Sequence, residues 1–178
     1  MYIETERLII RSLESADEQA YVKIASDGSL DEDIFSGWEG NYQEWMGEWI
    51  KESRELEIMD NPKKDYLAYA VVEKDTGIVV GSVGCTYYKN LDEVGQVYFV
   101  GADHRGKGYA TEMAAAYTEY FLTHYDIPKM IILIRAENIA SNMVAVKAGF
   151  ILTETKLYQD DFDVIEKLYN FYEIRKPH

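Results

Sequence analysis

The sequence predicts an α/β (α+β) fold with a mixed central sheet, its elements in the order β-α-α-β-β-β-α-β-α-β-β. Three observations carry this. Two β-rich runs flank the tight-turn tetrad Lys74-Asp75-Thr76-Gly77, a Gly-rich loop opens an amphipathic helix, and a continuous apolar run follows that helix. A continuous apolar run suits a parallel strand covered on both faces.

Taken in order, Leu8, Ile9 and Ile10 mark a first strand over 7–13, and Ser15 with Glu18 forms a Ser-x-x-Glu capping box for a helix ending near Ala25. The Asp-, Gly- and Ser-rich stretch 27–40 reads as a loop, and 42–57 as a helix whose Trp45 and Trp49 need cover. Strands over 66–73, 78–88 and 94–100 form a meander. Ala110, Met113, Ala114, Tyr117 and Phe121 fall on one face of a helix that stops near His124, ahead of Pro128. The apolar run 130–134 completes a βαβ unit. A short helix over 139–148 ends at Gly149, suited to a left-handed cap, and Phe150 opens the next strand. Residues 158–162 form a polar turn before a closing strand over 163–174.

Composition narrows the function. At 178 residues, 47% apolar and 28% charged, the chain suits one well-buried core, so 1–178 is expected to be a single domain. It begins without a basic flank or an apolar signal core and nowhere holds a run of about 18 apolar residues, so a cytoplasmic protein with no membrane partner is expected. The single cysteine, Cys85, excludes a disulfide framework and reads as a buried structural thiol. A net charge of −14 argues against nucleic acid and suits a cationic partner such as an amine, although such acidity is first of all a solubility feature. The three histidines show no metal spacing, and His104 reads as a loop residue.

The most specific local signal is Arg105-Gly106-Lys107-Gly108-Tyr109-Ala110 between a predicted strand and a predicted helix. Glycines let successive N–H groups converge, the helix start adds partial positive charge, and Arg105 and Lys107 add full charges, a combination that binds pyrophosphate. It is neither a dinucleotide fingerprint, whose third glycine is missing, nor a nucleotide P-loop, since Lys107 precedes glycine and not a hydroxyl residue.

Arg105, Gly108 and Ala110 match the Arg/Gln-x-x-Gly-x-Gly/Ala pattern, so this segment resembles motif A of the GNAT superfamily of acetyltransferases. Glu137-Asn138-Ile139-Ala140-Ser141 through Lys147-Ala148-Gly149-Phe150 resembles motif B of the same superfamily. The opening Glu6-Arg7-Leu8-Ile9-Ile10-Arg11 and the Asn138-x-x-Ser141 form are similar to the Rim-type branch, which includes ribosomal-protein N-terminal acetyltransferases.

The resemblance implies a GNAT fold, acetyl-CoA as cofactor, and transfer of an acetyl group to a primary amine on a protein N-terminus, a polyamine or another small molecule, by a monomer or homodimer. It implies that the coenzyme A pyrophosphate lies on the amides of Arg105, Gly106, Lys107, Gly108, Tyr109 and Ala110, with Thr111 adding a hydroxyl. It further implies that pantetheine pairs with the backbone near Phe99 and Val100 where two parallel strands splay, with Asn138 on the same arm and Ser141 near the thioester.

Two departures from the superfamily stand out. The tyrosine that many members use as general acid is replaced by Ala145, which shifts that role to Ser141 or to Tyr158. The glutamate that many Rim-type proteins place two residues beyond Glu93 is replaced by Gly95, leaving Glu93 as the nearest candidate base. The aromatic and acidic stretch 31–39, with Phe35 and Trp38, is expected to border the acceptor site or to serve as a hydrophobic lid. The different-class alternative is a protein of this fold that binds coenzyme A as a sensor or scaffold. A nucleotide-binding regulatory domain is a third reading.

Overall fold

The computed structural model describes residues 1–31, 34, 35, 40–161 and 163–176. Its strands are β1 (Tyr2–Glu4), β2 (Leu8–Arg11), β3 (Tyr66–Glu73), β4 (Val79–Tyr88), β5 (Glu93–Val100), β6 (Lys129–Arg135), β7 (Ile151–Tyr158) and β8 (Lys167–Arg175). Its helices are α1 (Glu18–Ala25), α2 (Tyr42–Met59), α3 (Tyr109–His124) and α4 (Ile139–Lys147). The strands form one sheet in the order β1-β2-β3-β4-β5-β6-β8-β7. Every pairing is antiparallel except β5 with β6, the parallel pair joined through α3. This is the expected mixed sheet, with one further strand at its N-terminal edge.

Alternation along the strands sends side chains to two cores. On one face Tyr69, Val71, Val83, Val94 and Met130 pack against Met113, Tyr117 and Phe121 of α3. On the other, Ala70, Val72, Val79 and Phe99 meet Tyr21 and Ile24 of α1 and Met46 and Ile50 of α2. The two tryptophans of α2 find their cover here, Trp49 edge-on to Tyr21 at 5.3 Å and Trp45 against Phe35 at 5.3 Å.

The first helix starts differently from the expectation. Ser15–Asp17 form a 3-10 turn, and Asp17 Oδ2 accepts from the Glu14 N–H at 2.9 Å, so the carboxylate closing the turn is Asp17 and not Glu18. Asp17 is fixed in that role by Arg11, whose guanidinium binds both its oxygens at 2.8 Å. Gly149 takes the expected left-handed conformation, φ 96°.

Candidate functional site

The loop between β5 and α3 is shaped by its glycines. Gly106 (φ 76°) and Gly108 (φ 83°) lie in the left-handed region, which a side chain makes costly. Gly108 occupies the N-cap of α3 and offers no side-chain cap, so the first-turn amides have no intrahelical acceptor and point outward from the helix start. Tyr109, Ala110 and Thr111 supply that turn, and Ala110 and Thr111 are half-buried.

Of the loop's charged side chains, Arg105 fastens the loop and Lys107 stays half-exposed. Arg105 donates through Nε to the Val100 carbonyl at 3.0 Å and through Nη2 to Ser29 Oγ at 2.7 Å. Lys107 Nζ lies 3.8 Å from Glu73, whose carboxylate also accepts from the Tyr109 phenol. Hydrogen bonds from Thr76 and Tyr109, with Lys107 beside them, hold the Glu73 pKa below the usual carboxylate range. Tyr109 is thus turned inward, and what it presents at the helix start is its backbone. Arg7 closes the other side, donating to the Lys107 carbonyl at 2.7 Å and to Glu112 at 2.8 Å, with its guanidinium 4.9 Å above the Tyr109 ring.

Strands β5 and β6 register at a single pair, Gly95 with Ile131. Beyond it they run on without pairing to Phe99 and Val100 on one side and Arg135 on the other, leaving a wedge that opens toward the loop and the start of α4. The backbone groups along the inner edge of β5 have no strand to bond within the wedge, which suits an extended amide-bearing ligand.

Asn138 and Ser141 meet at the start of α4, where Asn138 Oδ1 caps the helix by accepting from the Ser141 N–H at 3.1 Å. Tyr98, to which the sequence assigns no role of its own, donates from its hydroxyl to the Ser141 carbonyl at 3.2 Å and ties β5 to α4. Burial pushes the Tyr98 phenol up to about 12, so it acts as a donor. Asn142 also went unnoticed in the sequence. It donates to the Arg135 and Asn138 carbonyls and accepts from Asn170 and Tyr172, fixing α4 against β8. Ser141 and Tyr98 lie on the α3/α4 side of the sheet.

Glu93 and Tyr158 lie on the opposite face. Glu93 is paired with Lys129, Nζ to Oε1 at 2.6 Å, and the same ammonium stands 3.6 Å from Glu173. These groups line a cleft of about 190 Å³ together with Ile131, Lys156 and Phe171. The Tyr158 ring packs edge-on to Tyr169 at 5.7 Å and to Phe171 at 5.5 Å, and burial, with Asp160 and Asp161 nearby, raises its pKa.

The structure therefore gathers the loop, the wedge, Asn138 and Ser141 on one side of the sheet and leaves the two other candidate proton-transfer groups on the other. Phe35 is 4% exposed in the core against Phe99 and does not form a free docking surface. Trp38 and the acidic residues Glu32, Asp33 and Glu39 lie outside the described residues. Among the described residues no group of His, Cys, Asp and Glu could hold a metal ion, and no helix is long and apolar enough to cross a membrane.

Residues 7–151 match the family described as acetyltransferase (GNAT) domain. The chain is similar to the uncharacterized N-acetyltransferase YnaD of Bacillus subtilis (strain 168), with 28% identity over 155 residues that cover 84% of this chain and 82% of that one. Among solved structures, an acetyltransferase of the same family from Bacillus anthracis superposes with a TM-score of 0.81 at 22% identity over 99% of both chains. The ribosomal L7/L12 alpha-N-protein acetyltransferase RimL in complex with coenzyme A superposes at 0.82 with 16% identity over 98% of both.

Proposed function

Since the chain belongs to the GNAT acetyltransferase domain family, we propose that it is an acetyl-CoA-dependent N-acetyltransferase acting on a primary amine, in the Rim-type branch. The observation that carries the reading is the continuity of the wedge beyond Gly95 and Ile131 with the glycine loop at the start of α3. Left-handed Gly106 and Gly108 let a pyrophosphate approach the backbone, and the open amides of Tyr109, Ala110 and Thr111 suit its charge. Phe99 and Val100 border the wedge where a pantetheine arm would lie, and Asn138 and Ser141 stand at its far wall.

When bound, the cofactor supplies an activated acetyl thioester. The nitrogen of a neutral amine forms a bond to the carbonyl carbon, the carbon–sulfur bond breaks, and the proton lost by nitrogen balances the proton gained by the thiolate. The Ser141 side chain, at the first turn of α4, is the group assigned to deliver that proton or to order the water that does. Tyr158 remains a protonated phenol and is the second candidate. Glu93 is ion-paired with Lys129 at 2.6 Å, so amine deprotonation is assigned to solvent or to a water held beside Glu93.

A coenzyme A sensor without turnover is the competing reading, favoured only by Ala145 at the tyrosine position and by the engagement of Glu93 in an ion pair with Lys129. Free-thiol release from acetyl-CoA in the presence of an amine panel separates the two. Ser141→Ala is expected to lower kcat about 100-fold while changing the KM for acetyl-CoA little. If Ser141→Ala keeps full kcat and Tyr158→Phe loses it, the proton donor is Tyr158; absence of turnover with every amine would refute transferase activity.

A further inference from the structure

The face of β5 turned away from α3 and α4 carries Glu93, Gly95, Val97 and Phe99 in alternation. With the glycine loop, Asn138 and Ser141 on the other side, the acetyl-transfer reading leaves this face to the acceptor. Gly95 sits at the apex of that wedge, opposite Ile131. The space a side chain would take there is filled. A Cβ built on Gly95 would stand 2.4 Å from Cε2 and 3.0 Å from Cδ2 of Tyr88, and 3.3 Å from Cγ1 of Ile131. Tyr88 ends β4 opposite Glu93, and its ring leans two residues along β5 to lie on the bare backbone of Gly95.

The ring also carries an uncommitted donor. The Tyr88 hydroxyl has no hydrogen-bond partner among the described residues, although Tyr87 beside it donates to Asp92 at 2.6 Å and Tyr169 donates to Asp163 at 2.6 Å. Burial, then the proximity of Asp160, Tyr158 and Tyr169, keeps it a protonated phenol. It therefore offers one hydrogen-bond donor on the face where the acceptor would arrive.

We propose that Tyr88 determines acceptor specificity: its ring, laid over Gly95 at the apex where β5 and β6 part, leaves room for an amine on an unbranched carbon and excludes one on a branched carbon. An attacking nitrogen must come within about 3–3.5 Å of the carbonyl carbon, so a substituent on the carbon bearing it must pack on the surface around the apex. Here that surface is an aromatic ring already in contact with the strand, with no room to retreat toward Gly95. The substrate class this selects is an aminoalkyl compound such as a polyamine, and it disfavours the α-amino group of any protein beginning with a side-chain-bearing residue. The proposal rests on the acetyl-transfer reading above.

The test compares kcat/KM for 1,4-diaminobutane with that for 2,5-diaminohexane, whose amines both sit on branched carbons, in the wild type, Tyr88→Ala and Tyr88→Phe. The wild type should prefer the unbranched diamine by about 10- to 100-fold, Tyr88→Ala should lower that ratio at least about tenfold, and Tyr88→Phe should keep it while raising the acceptor KM. The KM for acetyl-CoA should stay within about twofold in all three. Equal use of the two diamines by the wild type, or an unchanged ratio in Tyr88→Ala, overturns the assignment while leaving the transferase reading intact. A wild type that binds coenzyme A by calorimetry but acetylates neither diamine nor any amine of the panel overturns both. A readout independent of turnover is the melting temperature of Gly95→Ala, which should fall in the wild-type background and recover when combined with Tyr88→Ala. Equal losses in both backgrounds would mean that the ring does not occupy this space in solution.

Discussion

On the proposed reading, one backbone angle at Gly108 governs how closely a phosphate can approach the start of α3. With φ at 83° and the amides of the next three residues facing outward, a valine there would add a β-branched side chain beside the anion path and force an unfavourable conformation. Gly108→Val is therefore expected to weaken coenzyme A binding by at least about tenfold, read by calorimetry, with a melting temperature lowered by only a few degrees. Unchanged affinity in the folded variant would place the pyrophosphate elsewhere. A second residue governs stability. Asp163, whose side chain is 1% exposed, receives Arg135 at 2.9 Å, Lys167 at 3.1 Å and the Tyr169 hydroxyl at 2.6 Å. Burial alone would raise its pKa, but the Tyr169 hydrogen bond and the two cations outweigh that and hold it below the ordinary aspartate value. Replacing it with asparagine leaves a buried guanidinium beside a neutral amide, a loss of about 3 kcal/mol. Because the folded pKa lies below the unfolded value of about 3.9, the carboxylate's contribution is complete above that pH and is lost as pH falls through the folded pKa. Urea midpoints of wild type and Asp163→Asn should stay separated from pH 7 to pH 5 and converge in more acidic buffer. Coincident midpoints at pH 7 would show that the charge contributes nothing.

Among the elements, helix ends are where local sequence and tertiary contacts divide the work. Asp60 ends α2 at φ 46°, its N–H bonded back to Leu56 and Glu57, while its carboxylate accepts from Tyr125 at 2.5 Å and meets His124 at 3.0 Å, locking α2 to the end of α3. Asp60→Ala combines a non-glycine left-handed residue that has no local hydrogen bonding with the loss of these contacts, about 2 kcal/mol together. Asp60→Gly loses the contacts but relieves the backbone, so its urea midpoint should lie above that of the alanine variant; the reverse order would mean that the positive φ costs nothing. The sequence made the end of α3 legible, through Pro128 and the apolar spacing, but gave no sign of Asp60, whose partners are more than sixty positions away. The same division explains the other discrepancies. Strand β1 is three residues with no alternation to read, and it exists because it pairs with β2. Strand β8 lies between β6 and β7, an insertion that no local pattern encodes. The glycine loop was legible because loop, charges and helix start are contiguous. Tyr88 over Gly95 and Lys129 on Glu93 were not, because each joins residues from different strands.

Across the whole molecule, the mixed sheet and its parallel βαβ unit follow from patterning that runs the length of the chain, so the fold was readable even where the site was not. The net charge of −14 is also a property of the whole, and it acts in opposite senses on the two substrates of the proposed reaction. An acidic field attracts an ammonium-bearing acceptor and repels acetyl-CoA, itself a polyanion. Local chemistry reverses the second effect only in part, since Arg105 is committed to Val100 and Ser29 and the half-exposed Lys107 stands beside the Glu73 carboxylate at 3.8 Å. On the proposed reading the cofactor would be held mainly by backbone amides, which carry partial charge and cannot steer from a distance. Raising the ionic strength from 0.01 M to 0.15 M shortens the Debye length from about 30 Å to about 8 Å and screens the long-range part of both interactions. The KM for acetyl-CoA should fall by about twofold or more over that range, while kcat/KM for a diamine acceptor should fall by a similar or larger factor. A neutral-chain amine carrying a compensating carboxylate should show little change in kcat/KM. Initial rates at saturating concentrations of the other substrate measure each effect separately. If the two substrates respond to salt with the same sign, steering by the net charge is wrong, and the acidity of this chain serves solubility alone.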